Sequence, residues 1–122
     1  MEEKYESPGS WPLPVTLACG IGAMLTAPAV YVAILSAGFG HGGYFLTRAL
    51  FPIPMLATLI TGDIRLPSIL LALAQFPLYG AFLGRHAMRS TRAFWAAAAM
   101  ITSVHFIAAL ACFSGLLSDF SG

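Results

Sequence analysis

Charge is confined to the ends of this chain and to short breaks within it. The six Lys and Arg residues and the five Asp and Glu residues leave between them four long stretches of apolar and small residues. Charged residues make up 9% of the chain and hydrophobic residues 58%, whereas a soluble domain carries about 25% charged residues. The chain lacks the polar groups that would cover a soluble surface. The pattern therefore predicts an integral membrane protein.

The four stretches predict an all-α fold, an antiparallel up-down four-helix bundle in the membrane. A helix that crosses the hydrocarbon needs about 20 residues, and it satisfies its own backbone groups in lipid. Helices are favoured over the strands of a closed barrel, because the stretches show no sustained alternation of apolar and polar residues and the chain is short for a barrel. We expect an exposed tail at 1–13, one transmembrane domain at 14–117 with spans at 14–37, 44–61, 66–84 and 93–117, and a C-terminal tail at 118–122.

The second predicted span differs from the others because prolines interrupt it. Arg48 lies one turn inside this span, and Phe51-Pro52-Ile53-Pro54 occupies its middle. Proline has no N–H to donate and crowds the preceding turn, so we expect this helix to be kinked or to start irregularly. A re-entrant second segment, which would leave three crossings, is the alternative.

Loop charge predicts the orientation. Arg85, Arg89 and Arg92 lie between the third and fourth spans, and the positive-inside rule assigns such a break to the cytoplasm. Four spans then place both termini on the non-cytoplasmic side, together with all the acidic residues. The re-entrant alternative would put the acidic N-terminus inside, so we favour four spans. The predicted location is the cytoplasmic (inner) membrane of a bacterial-type cell, with Arg48, Arg85, Arg89 and Arg92 contacting anionic lipid headgroups.

A polar pair falls at the midpoints of the third and fourth spans. Gln75 and His105 should reach the same depth, because a short loop joins two antiparallel helices, and Thr26 is a third candidate. An uncharged His needs an acceptor for its N–H, which Gln supplies. The functional hypothesis is a proton relay or a small polar ligand site, and the structural one is a hydrogen bond between helices. We favour the structural one because the spans contain no carboxylate.

Two cysteines and two glycines suggest helix contacts. Cys19 and Cys112 have the same predicted depth and form either a disulfide or a pair of small packing residues. We favour packing, since equal depth does not bring two Cα atoms within bonding range. Gly80 and Gly84 form a small-xxx-small pattern that packs within the bundle or builds a homodimer.

No motif indicates an enzyme, a metal or a cofactor. The glycines of 38–43 match a dinucleotide fingerprint, but no strand precedes them, and no basic run suggests nucleic acid. We therefore expect a non-enzymatic structural or accessory subunit or a small oligomer, whose partners are the lipid bilayer and a membrane protein or a second copy. The alternative is a small transporter or channel with its polar site at Gln75 and His105, because four prolines could break the helices around it.

Overall fold

The computed structural model describes residues 13–38, 44–115 and 117. Within these ranges every regular element is an α-helix, so the predicted all-α class is confirmed for the described part of the chain. The predicted C-terminal tail at 118–122 and nearly all of the tail at 1–13 lie outside these ranges. The helices are α1 (Leu13–Gly38), α2 (Phe45–Leu50), α3 (Pro52–Thr61), α4 (Leu66–Ala87) and α5 (Thr91–Phe113).

Three of these helices, α1, α4 and α5, are long and apolar enough to cross a membrane. They overlap the first, third and fourth predicted spans. Local sequence sets two of the helix ends. The Ser90 hydroxyl accepts a hydrogen bond from the Ala93 N–H at 3.0 Å and so caps the start of α5. Gly62 ends α3 at φ 72°, a left-handed conformation that glycine adopts without strain.

The second predicted span is divided into two short helices. Phe51, at φ −126° and ψ 54°, lies between α2 and α3 outside helical geometry. Pro52 and Pro54 follow it, and neither has an N–H to continue the hydrogen-bond ladder of α2. With 6 and 10 residues, each helix is shorter than the roughly 17 residues of the shortest spanning helices. The irregularity expected from the prolines is thus a complete break.

Close backbone contact joins α1 to α4. Because glycine has no side chain, the two helices approach closely at three successive turns, where a Cβ atom would collide with the facing backbone. Positions along α1 fall as positions along α4 rise, so the helices are antiparallel. An up-down bundle of four spans would make them parallel, and the predicted four-span topology is not confirmed. The contacts pair Gly22 with Phe76, Gly80 with Ala18 and Gly84 with Pro14.

The two short helices enter and leave at the same end of the molecule. α2 begins beside the last turns of α1, where the Thr47 hydroxyl donates to the Ala33 carbonyl at 3.4 Å. It reaches the middle of α4, where the Leu50 carbonyl accepts a hydrogen bond from Gln75. The chain then turns back along α3, and a short link leads to the start of α4. Since α1 and α4 are antiparallel, that start lies at the same end as the last turns of α1.

The α2–α3 pair thus begins and ends at one end of the fold, which is the course that the re-entrant alternative requires. The physical reason is the proline break, which turns the chain back in the middle of the fold. Loop charge and segment length favoured a full crossing, because the segment 44–61 is long enough for one only if its helix continues through Phe51.

Apolar side chains cover the outside of the fold, and the interior is small and partly polar. Ile60 is 91% exposed and Met24 78% exposed. A small apolar cluster of Met55, Cys112 and Leu117 is buried where α3 meets the end of α5. This distribution suits a lipid environment, in which large apolar groups face outward. Among the residues that the structure describes, the buried polar or charged side chains are Thr26, Arg48, Thr58, Ser68 and Gln75.

Candidate functional site

The break between α2 and α3 deprives backbone carbonyls of their helical partners. In a continuous helix the Leu50 carbonyl would accept from the N–H of residue 54, but that residue is a proline. Phe51 also takes the N–H of residue 53 out of line with the Ala49 carbonyl. A carbonyl left without a donor inside a membrane costs several kcal/mol. The break thus leaves strong acceptors in the middle of the protein, among them the carbonyls of Ala49 and Leu50.

Side chains from the two neighbouring long helices satisfy these two carbonyls. Gln75 Nε2, on α4, donates to the Leu50 carbonyl at 2.9 Å. His105 Nε2, on α5, donates to the Ala49 carbonyl at 2.9 Å. The structure therefore brings the predicted pair to one place, where the two side chains bind adjacent carbonyls of α2.

The hydrogen bonds of His105 fix its tautomer. A carbonyl can only accept, so Nε2 carries the proton. Nδ1 of the neutral ring is then an acceptor and takes the hydroxyl hydrogen of Tyr79 at 3.3 Å. The two rings meet edge to face, with centroids 6.1 Å apart. Tyr79, His105 and the Ala49 carbonyl thus form a directed chain of two hydrogen bonds.

Tyr79 is the site residue that sequence reasoning missed. It lies one turn after Gln75 on α4, so both side chains can face α5. That spacing was the available signal. The sequence does not show that the Tyr79 hydroxyl lies opposite Nδ1 of His105, and this contact is what makes Tyr79 part of the site.

Among the described residues, Thr26 forms no hydrogen bond with Gln75, Tyr79 or His105. Its hydroxyl donates to the Gly22 carbonyl of its own helix at 2.9 Å. The side chain is buried, and the bond satisfies it within α1. Thr26 therefore packs in the interior with its donor already occupied.

The two cysteines are free and lie in different halves of the molecule. Cys19, on α1, adjoins Gly80 in the half where α4 ends. Cys112 is fully buried against α3, and its thiol donates to the Pro52 carbonyl at 3.4 Å. The antiparallel course of α1 separates the two residues that a four-span topology would have placed at equal depth.

The four arginines predicted to contact lipid also separate. Arg85, Arg89 and Arg92 are exposed at the connection between α4 and α5. Arg48 is 8% exposed, on α2, one turn after Tyr44. The structure thus groups three of them at one end and places Arg48 in the interior of the other half. Headgroup contact stays a prediction for all four.

Gln75 is the buried member of the polar centre, whereas Tyr79 and His105 are half-buried. Gln75 is 4% exposed, and its Oε1 atom is buried with no hydrogen-bond partner among the described residues. A cavity of about 340 Å³ lies between α1, α3 and α4, and it touches the break at Phe51 but has an almost wholly apolar wall. Neither Gln75 nor His105 lines this cavity.

The described residues contain no group of three or more His, Cys, Asp or Glu side chains that could hold a metal ion. The hydrogen bonds that the centre shows are those of Gln75, His105 and Tyr79.

Comparison of the chain with protein family models, with curated proteins and with solved structures gives no match. No residue role is therefore carried over from a relative.

Proposed function

We propose that this protein is a non-enzymatic membrane protein, a structural or accessory subunit with three crossings and one re-entrant pair, α2–α3. One observation carries the proposal. The hydrogen-bond donors at the polar centre, Gln75 and His105, bind backbone carbonyls of the same chain. A substrate site would need such donors to be accessible, and here they hold a broken helix together.

The membrane placement is supported by length and by surface. α1, α4 and α5 are each long enough to cross, and their large apolar side chains face outward. α2 and α3 are too short to cross singly, and non-helical backbone at membrane depth is tolerated where protein buries it. Phe51, at the break, is 3% exposed, which satisfies that requirement.

The orientation follows from the exposed arginines and the antiparallel pair. The positive-inside rule puts the α4–α5 connection, with Arg85, Arg89 and Arg92, in the cytoplasm. Gly84 packs on Pro14, so the start of α1 lies on that same side. In this proposal the N-terminus is cytoplasmic and the end of α5 is on the non-cytoplasmic side. This differs from the four-span prediction, which placed both termini on the non-cytoplasmic side. A bacterial inner membrane remains the predicted location.

Single-cysteine labelling on intact cells tests the topology. Cysteine is placed at Ser10, at Asp63 or at Ser90 in a variant in which alanine replaces both native cysteines, and a membrane-impermeant maleimide is added. We expect only the Asp63→Cys protein to react before the cells are lysed. Reaction of Ser10→Cys together with Asp63→Cys would instead support four crossings.

Photo-crosslinking in native membranes tests the accessory role. A photoreactive amino acid is placed at Ile107, which is 65% exposed on α5, or at Met24 on α1. We expect one of these faces to yield a discrete protein adduct that mass spectrometry can identify. Adducts with lipid alone from both faces would contradict an accessory role.

A small transporter or channel is the second candidate, and the buried Oε1 of Gln75 favours it. This acceptor has no partner among the described residues, and discontinuous helices often expose polar groups to a solute near the midplane. Swelling of proteoliposomes in glycerol or urea tests it. Solute entry that the wild type supports and Gln75→Leu abolishes would favour transport, and swelling no faster than in protein-free vesicles would exclude these solutes.

A further inference from the structure

A groove runs along the outer face of α4 at the end that carries the exposed arginines. It has a volume of about 520 Å³ and lies between α4, the first turns of α1 and the turn before α5. Its floor and walls are apolar, and two guanidinium groups stand at one end. The lining residues are Val15, Leu78, Ala81, Phe82 and Met88, with Arg85 and Arg89 at the rim.

The charge of this rim has no carboxylate to neutralise it among the described residues. Arg85 and Arg89 are both exposed, and they are one helical turn apart in sequence. The one carboxylate in the described part of the chain, Asp63, precedes α4 at its opposite end. Guanidinium groups present paired donors that match the oxygens of a phosphate. The rim is therefore complementary to a phosphate group.

The apolar part of the groove indicates what the phosphate belongs to. From Arg85 back to Leu78 the wall extends about 10 Å along α4, at 1.5 Å per residue. In the proposed membrane placement this direction leads from the headgroup region into the hydrocarbon. A free phosphate would use the arginines and leave this wall empty, whereas an acyl chain would cover it.

We propose that the groove binds one anionic phospholipid, with its phosphate between Arg85 and Arg89 and one acyl chain against Leu78, Ala81 and Phe82. This inference requires the membrane insertion proposed above, but it does not require the accessory role. Binding at this end would fix the depth of α4 relative to the cytoplasmic headgroups.

The acidic N-terminal residues are the competing occupant. Glu2, Glu3 and Glu6 precede α1, and α1 begins at the same end as the groove. Their carboxylates would satisfy the arginines. They would not account for the apolar wall, and for this reason we favour the lipid.

Native mass spectrometry of the full chain in mild detergent tests the proposal. Phosphatidylglycerol, phosphatidylcholine or glycerol 3-phosphate is added at equal concentrations. We expect the wild type to retain phosphatidylglycerol preferentially. The loss in affinity should be about fivefold per arginine removed, hence about thirtyfold for the double variant Arg85→Gln, Arg89→Gln. Ala81→Phe, which fills the groove without changing charge, should weaken retention as well.

Arg92→Gln is the matched control. It removes one exposed arginine from the same connection, but Arg92 does not line the groove. We expect it to retain phosphatidylglycerol within twofold of the wild type. Resistance to carbonate extraction reports membrane insertion separately, so a failure of insertion is distinguishable from a failure of lipid binding.

Four outcomes would overturn the proposal. Arg92→Gln could weaken retention as much as either groove arginine, or phosphatidylcholine could bind as well as phosphatidylglycerol. Glycerol 3-phosphate could bind as tightly as the lipid, which would indicate an anion site without an acyl chain. Finally, replacing the three N-terminal glutamates by glutamine could raise lipid retention tenfold or more, which would identify the tail as the occupant.

Discussion

Two faces of α4 make different kinds of contact near the middle of the molecule. One face packs on α1, where Gly80 lies against the backbone of Ala18. The other face meets the α2–α3 break, where Gln75 donates to Leu50. In the first contact two continuous helices pack closely because glycine has no side chain. In the second, a side chain donates the hydrogen bond that the interrupted helix lacks.

The difference concerns how each contact tolerates change. A backbone-to-backbone contact has no flexible part that could move aside, so any added atom must push the helices apart. A side chain that caps a carbonyl can be replaced by another donor, or by a restored backbone N–H. We therefore expect the α1–α4 face to be the less tolerant of the two.

Gly80→Ala should give the largest effect. The new Cβ would overlap the Ala18 carbonyl, and overpacking of this kind costs about 3 kcal/mol. Thermal unfolding in detergent measures the loss of stability. Gly20→Ala is the matched control, because no atom lies within 4 Å of the Cβ it would add. Equal melting temperatures for the two variants would contradict the close contact.

His105→Leu should have the next largest effect. It leaves the Ala49 carbonyl without its donor, and we expect a loss of about 1–1.7 kcal/mol, the upper part of the range for interhelical hydrogen bonds in membrane proteins. His105→Gln, which keeps an N–H donor, should recover part of the loss. The exposed neighbour Thr102, changed to leucine, serves as control. If His105→Leu unfolds at the wild-type temperature, the capping role is wrong.

Pro54→Ala should sharpen the comparison through its coupling to Gln75. Alanine restores an N–H that can approach the Leu50 carbonyl, so Gln75→Leu should cost less in this background. Neighbouring substitutions of this kind couple by about 0.5–1 kcal/mol. The four unfolding free energies of a double-mutant cycle measure the coupling. Strict additivity would show that the glutamine and the proline do not share the carbonyl.

Tyr79→Phe should have the smallest effect, about 0.6 kcal/mol. It removes the hydroxyl that donates to Nδ1 of His105 but keeps the ring. The Ala49 carbonyl still holds the Nε2 proton, so the tautomer should not change. Nitrogen NMR of labelled histidine reports the tautomer directly. A switch of the proton to Nδ1 would mean that the tyrosine, and not the carbonyl, selects it.

The long helices could be predicted because their evidence lies in the sequence itself. Long stretches without charge predicted α1, α4 and α5. The short loop between the third and fourth spans predicted that Gln75 and His105, at their midpoints, lie close together. The prolines after Phe51 predicted an interruption of the second helix. Each of these signals depends on a property of the residue named.

The path of α2 and α3 could not be predicted in this way. A proline indicates that a helix is kinked or broken, but the direction that the chain then takes depends on which helices pack beside it. The partners of Gln75 and His105 were equally hidden, because a backbone carbonyl has no sequence signature. The acidic N-terminal residues, counted as evidence for an outer terminus, favoured a topology that the Gly84 contact with Pro14 does not support.

The Ala49 carbonyl also has a consequence for proton movement. A proton wire needs every link both to take up a proton and to pass one on. The tyrosine hydroxyl and the imidazole can do so, but a backbone carbonyl only accepts. The chain from Tyr79 through His105 therefore terminates at Ala49. A proton that reached His105 could therefore not be passed beyond the Ala49 carbonyl along this route.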